Sequence, residues 1–196
     1  MRESVASAES IGAQLLFGDL PDKGMDDGGR TVELIEAAIR ALDPTVVYLH
    51  SRNDTHQDRR AVAAASVSAT RGVRRIFAFQ SPSATNDFRP TRFVPIDAVV
   101  QQKVHVLTTF ESQAHRHHLD PEFIVAGSRY WARQLGADAR YAEPFEVVRS
   151  IGDLRRNAGV PTPAGTRFGF ALPSYLPSHA HVHEAPGSGF ATAEEP

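Results

Sequence analysis

Thr45-Val46-Val47-Tyr48-Leu49-His50-Ser51-Arg52-Asn53-Asp54-Thr55-His56-Gln57-Asp58-Arg59-Arg60-Ala61-Val62 is the stretch that decides how this chain is read. Its first five residues form a continuous apolar, largely β-branched run, which suits a strand buried on both faces and points to a parallel sheet. A polar loop follows over residues 50–57, and an alanine-rich helix is expected over about residues 58–69. Open α/β sheets bind ligands where the carboxyl end of a strand passes into a helix. His50, Asp54, His56 and Asp58 fall at that place, and imidazoles beside carboxylates make acid/base pairs and metal ligands. Each also has a plainer structural role. Asp54 or Thr55 suits a helix cap, Asp58 suits the positive end of the helix dipole, and His50 suits a hydrogen-bonded strand end.

Upstream of this stretch, the sequence predicts a helix over residues 2–11 closed by Gly12, and a strand over the apolar run at 13–17. A loop rich in Asp, Gly and Pro leads to a helix over residues 31–42, where apolar residues recur at helical spacing until Asp43-Pro44 ends it. Downstream, Arg71-Gly72 closes the alanine-rich helix before a strand at 75–79. A loop over 80–91, a short strand at 92–96, helices over about 97–110 and 120–135, and a last strand at 145–148 complete the ordered part. Phe123, Ile124, Tyr130, Trp131 and Leu135 share the later helix and are expected to be core. Alternating strands and helices indicate an α/β domain with right-handed crossovers and helices covering a mostly parallel sheet.

From about Ser150 the periodicity stops. Prolines recur among Gly, Ser and Ala, so the division is a domain over residues 1–149 and an unstructured tail over 150–196. Phe168-Gly169-Phe170 and Tyr175 in that tail are candidates to dock back on the domain. His179, His181 and His183, like His115, His117 and His118, read as compositional clusters that bind metal adventitiously.

Composition narrows the function. The chain has 196 residues and a formal net charge of −2, so it has no positive field to hold nucleic acid through phosphates. It has no cysteine, which excludes disulfides, thiolate nucleophiles and Cys-bound zinc and fits a cytoplasmic location. No apolar run reaches the roughly 18–20 residues of a membrane span, and the first residues carry no signal-peptide core, so no membrane association is expected.

The run Asn53-Asp54-Thr55-His56-Gln57-Asp58-Arg59-Arg60 resembles the D-x-H-x-D-H-R motif of the PIG-L/LmbE family of zinc-dependent N-deacetylases. Further segments resemble the family in the same order: Leu16-Phe17-Gly18-Asp19-Leu20, Asp43-Pro44-Thr45-Val46-Val47-Tyr48, Gln80-Ser81-Pro82-Ser83-Ala84-Thr85, Phe88-Arg89-Pro90-Thr91-Arg92-Phe93, Glu111-Ser112-Gln113 and Tyr141-Ala142-Glu143-Pro144-Phe145-Glu146-Val147. The resemblance spans residues 3–149. It implies a Rossmann-like fold and hydrolysis of an N-acetyl amide, commonly on a glucosamine-containing substrate, by zinc-activated water.

By the same resemblance, His56 is the residue that protonates the leaving amine or stabilises the oxyanion, and Asp58 is its partner carboxylate. Asn53, Asp54, Arg59, Arg89 and Arg92 are the substrate-binding candidates. The family's H-P-D-D motif, which supplies two zinc ligands and the general base, has no counterpart string in this sequence, so the family's first strand and metal loop are expected to be missing. Its third ligand, a His, is replaced by Arg59. A guanidinium stays protonated and has no lone pair for a cation, so zinc is expected for the family and not for this chain, and no residue is assigned as a metal ligand. Three readings remain: a deacetylase of a small polar amide or amino sugar, a non-catalytic relative binding such a ligand, and a fragment whose incomplete sheet favours oligomers.

Overall fold

In the computed structural model, which describes residues 2–152, the element order opens with α1 (Arg2–Ser10), α2 (Gly29–Leu42), β1 (Val47–His50) and α3 (Gln57–Ala69). β2 (Arg75–Phe79), β3 (Arg92–Pro95), α4 (Val100–Thr108), α5 (Pro121–Ala132) and β4 (Ala142–Ser150) follow. Short 3-10 turns at Glu111–Gln113, His117–Leu119 and Arg133–Leu135 flank α5. Of the tail expected over 150–196, Ser150 is the end of β4, and residues 153–196, with the aromatic and histidine clusters, lie outside the described residues.

Local chemistry explains most boundaries. Asp43 ends α2 in the left-handed conformation, its N–H bonded to the Ile39 carbonyl at 2.9 Å, and Pro44 then bars continuation. Asp120 caps α5 by accepting from the N–H groups of Glu122 and Phe123, with Pro121 at the first helical position. Gly12 takes φ +65° after α1, which lets the Ala13 N–H reach back to the Ala8 carbonyl at 2.9 Å.

The α/β class and the flanking helices hold, while the sheet is mixed. Its four strands run in the order β1-β2-β4-β3, and only the β1–β2 pairing is parallel; β4 pairs antiparallel with both β2 and β3. The parallel expectation fits the β1-α3-β2 unit, which has a helical crossover. It does not extend to β4, a nine-residue strand that enters between β2 and β3 from the opposite direction. Sequence periodicity shows which residues share a face and not which way a strand runs.

The run at residues 13–17 is not a strand. Among the described residues it has no neighbouring strand to bond with, and an extended segment becomes a strand only through a partner's N–H and C=O groups. Leu16 and Phe17 are correspondingly 50% and 45% exposed. Among the described strands β1 forms one edge of the sheet, paired on the β2 side alone.

The core lies between the sheet and the α2–α3 layer. Leu49, Ala63, Val73, Ile76 and Ala78 are buried together, with Ile39, Val47 and Val67 packed against them. Alanines on the inward side of α3, Ala63 and Ala65, are fully buried and let the helix approach the sheet closely. On the other face Tyr48, Phe77 and Phe145 form an aromatic cluster with ring centroids 5.2–6.4 Å apart. Among the described residues no helix is long and apolar enough to cross a membrane.

Candidate functional site

The site is built where two loops at the carboxyl ends of β1 and β2 are zipped together. Thr55 N–H donates to the Ser83 carbonyl at 3.0 Å and Thr85 N–H to the Asn53 carbonyl at 2.9 Å, with an isolated antiparallel bridge between Asp54 and Ala84. This pairing fixes the backbone on both sides of Asp54, whose side chain turns inward and is 2% exposed. Its carboxylate accepts from the Ser81 hydroxyl, from the Ser83 hydroxyl at 2.7 Å and from the His56 N–H at 2.7 Å.

Arg59, in the first turns of α3, points into the same cluster. Its guanidinium donates to the Ser83 hydroxyl and stands 3.6 Å from Asp54 Oδ2. Burial is the largest influence on the Asp54 carboxyl and pushes its pKa upward. The bonds from Ser81, the His56 N–H and Ser83, with the charge of Arg59, together outweigh burial and hold it below the ordinary Asp value.

His56 occupies the N-cap position of α3 and is half-buried. Asp58, in the first turn of that helix, is 1% exposed; its Oδ2 accepts from the Lys23 N–H at 2.7 Å and its Oδ1 carries no hydrogen bond. Gln57 Nε2 donates to the Lys23 carbonyl at 2.6 Å. The start of α3 thus clasps Lys23 on both sides of its backbone, which takes φ +59°, a left-handed conformation that a non-glycine residue keeps only when its surroundings enforce it. His50, beneath the loop, is 5% exposed against the Phe79 ring at 4.6 Å, and its Nδ1 has no hydrogen bond. Burial first, then the positive charge of Arg59, lowers its pKa to about 4 despite the opposing pull of Asp54, so it is neutral at pH 7.

The other sequence candidates are distributed around this cluster. The Asn53 amide donates to the Asp87 carbonyl at 2.9 Å and to Glu146 Oε1 at 3.2 Å, which makes it a tie between loop and sheet. Arg89 is exposed, and its backbone N–H donates to the same Glu146 oxygen at 3.0 Å. Arg92 is exposed on β3, with its guanidinium over the Phe77 ring at 4.7 Å. Ser112 anchors α1, its N–H and hydroxyl both donating to Glu3, at 2.8 and 2.6 Å.

Sequence reasoning gave no role to Ser81, Ser83, Glu146 or Lys23. Ser81, Ser83 and Glu146 lie in segments noted for family resemblance, yet their contacts with Asp54 and Asn53 span 27 to 93 residues and leave no local spacing signal. In the 3-10 turn at His117–Leu119, burial first and then the positive charges of Arg116 and Arg59 lower the pKa of His118. The expectation that Tyr130 and Phe123 are core is corrected: they are 57% and 61% exposed, because α5 buries Ile124, Ser128 and Ala132 instead.

These donors do not fit zinc. Asp54, a carboxylate in the motif, is already engaged by two hydroxyls, a backbone N–H and a cation. The position that the motif gives to a neutral imidazole ligand holds a guanidinium. Among the described residues no group of three or more His, Cys, Asp or Glu side chains is arranged to hold a metal ion.

Residues 1–70 match the family model described as PIG-L, GlcNAc-PI de-N-acetylase. No curated protein sequence matches the chain. Among solved structures, the conserved protein TT1542 from Thermus thermophilus is similar at 26% identity and a TM-score of 0.63, covering 79% of this chain and 75% of that one. GalB, the 4-carboxy-2-hydroxymuconate hydratase of Pseudomonas putida KT2440, shares the fold at 22% identity and a TM-score of 0.62, over 78% of this chain and 73% of that one. So does Dbv21, the A40926 pseudoaglycone deacetylase, at 20% identity and 0.53, over 78% and 71%. The motif segments in family order, the match over residues 1–70 and the shared fold make this chain similar to the PIG-L/LmbE family.

Proposed function

We propose that this chain is a binding relative of the de-N-acetylases, which takes a small polar amide or an N-acetylated amino sugar at the carboxyl ends of β1 and β2 without hydrolysing it through a metal. The observation that carries this reading is Arg59, 6% exposed and held by Asp54 and Ser83 where the motif calls for a third metal ligand. The description of the matched family model and the deacetylase among the fold neighbours support the ligand class. A cysteine-free chain of nearly balanced charge favours a cytoplasmic protein with a small-molecule partner.

A second reading, hydrolysis of the same amide, has one feature in its favour. Asp58 is buried with an open acceptor on Oδ1, two residues from His56. In that case His56 donates the proton to the leaving amine and Asp58 orients it.

One experiment separates the two. Tag-free protein and its Arg59→His variant are dialysed, analysed for zinc and titrated calorimetrically with N-acetylglucosamine, with acetate release followed in parallel. Saturable binding with neither zinc nor acetate release is expected of the unmodified chain. About one tightly held zinc per chain together with acetate release overturns the binding-only reading.

A further inference from the structure

We propose that Arg167-Phe168-Gly169-Phe170-Ala171-Leu172, beyond the described residues, adds a further strand to the sheet along the open edge of β1 and parallel to it. On an edge strand alternate residues direct their N–H and C=O away from the sheet, and natural edges are shielded by charge, Pro, a bulge or a covering segment. The run Val46-Val47-Tyr48-Leu49 carries no charge and no Pro, and β1 pairs with β2 in unbroken register. Its side chains also fall short of cover. Ile76 and Phe77 of β2 are buried, whereas Val47 and Tyr48, their partners across the ladder, are only half-buried. The same shortfall marks α2, where Val32, Ile35, Ile39 and Leu42 recur at helical spacing and none is fully buried. Ile39 and Val47 pack against one buried cluster, so the apolar side of α2 continues to β1. Leu34 on α2 is exposed and adjoins Gly18, which follows the exposed Leu16 and Phe17.

Position, reach and pattern single out this segment as the occupant. The Ile151 N–H donates to the Arg74 carbonyl at 3.0 Å and Arg74 Nη2 donates to the Gly152 carbonyl at 3.0 Å, so the described chain ends beside the start of β2, the end of the sheet at which β1 also starts. From β4 to the place beyond β1 is three strand spacings, about 15 Å, and residues 153–166 can extend to about 45 Å. A connection that stays at one end of the sheet delivers a strand that runs opposite to β4 and parallel to β1. Within residues 153–196 only Phe168, Phe170 and Leu172 place large apolar side chains at three successive alternate positions, and Pro173 closes the run at a length comparable to the four residues of β1. In a strand these three share one face and Gly169 and Ala171 the other. The apolar face covers Val47 and the α2 side, while the small face lies alongside Tyr48. β1 carries His50 and leads into the Asp54 loop, so the added strand holds the base of the candidate site from its open side.

The test uses the full chain in two ways. Hydrogen exchange of the β1 amides is compared between the unmodified protein and a Phe168→Asp/Phe170→Asp variant. Because the chain has no cysteine, paired thiols can also be introduced cleanly: Thr45→Cys with Thr166→Cys, which the added strand brings side by side, and Thr45→Cys with Thr192→Cys as the distant control. The expected result is exchange at β1 that is about tenfold or more faster in the aspartate variant, with β2 and α3 keeping their protection. An intrachain disulfide is expected to form faster in the 45/166 pair than in the 45/192 pair. Unaltered β1 exchange together with equal disulfide rates overturns the proposal. A disulfide that joins two chains, in a protein that sediments as a concentration-dependent dimer, assigns the edge to a second copy and overturns it as well. If the aspartate variant loses protection everywhere, it has unfolded, and the thiol pairs, which leave residues 167–172 intact, decide between the outcomes.

Discussion

Arg59 Nη1 lies 3.6 Å from Asp54 Oδ2, and the two side chains are 6% and 0% exposed. A buried pair of this kind cannot lose one member cheaply, because the survivor keeps its charge in a medium that solvates it poorly. Arg59→Met preserves length and apolar stem while removing the cation. The expected cost is about 3 kcal/mol in urea denaturation at pH 7. A loss near zero would show that the Ser81, Ser83 and His56 N–H bonds satisfy Asp54 without the guanidinium.

Glu146 gathers three groups from two loops: the Ser51 hydroxyl at 2.6 Å, the Asn53 amide at 3.2 Å and the Arg89 N–H at 3.0 Å. Glu146→Ala leaves these donors without their acceptor and is expected to destabilise the fold by about 1–3 kcal/mol. Its specific mark is faster hydrogen exchange of the Arg89 amide, with the β3–β4 ladder amides keeping their protection. Unchanged exchange at Arg89 counts against the tie.

His50 makes stability depend on pH. Its pKa is about 4 in the folded chain against an ordinary 6.5, so between these values the unfolded state binds the proton more readily. Its contribution is complete above pH 6.5 and is lost as pH falls through that window toward 4, by about 3 kcal/mol in all. In His50→Phe, which keeps a ring against Phe79, the pH dependence of the urea midpoint between 6.5 and 4 should flatten. An unchanged slope would assign the effect to other groups.

Ile76 is fully buried at the centre of the core. Truncation to Ala removes its contacts with the α2–α3 layer and leaves a cavity that close-packed alanines on α3 cannot fill, at an expected cost of about 3–4 kcal/mol. A chemical denaturation curve shifted by much less would indicate that α3 collapses onto the strand.

The helices and the β1-α3-β2 unit were legible in the sequence, because their signals are local. Gly12, Asp43-Pro44, Asp120-Pro121 and the apolar spacing of α2 act within a turn of the residues they govern. The candidate cluster was legible in part, through the motif around His56 and Asp58. Ser81 and Ser83 on Asp54, Glu146 on Asn53 and Lys23 on Asp58 were not, since hydrogen bonds across 27 to 93 residues impose no spacing on the sequence. Tyr130 and Phe123 misled for a related reason: periodicity shows that a helix has an apolar side, whereas its neighbours determine which side is covered.

The sequence by itself determined the α/β class, the resemblance to the PIG-L/LmbE family, and the chemistry forbidden at residue 59, because a guanidinium cannot ligate a cation in any fold. Tertiary structure decided the direction of β4, the failure of residues 13–17 to become a strand, and the inward turn of Asp54 onto two serines and an arginine. These depend on which segments meet in space, and only the folded chain brings strand edges, hydroxyls and charges to the partners that satisfy them.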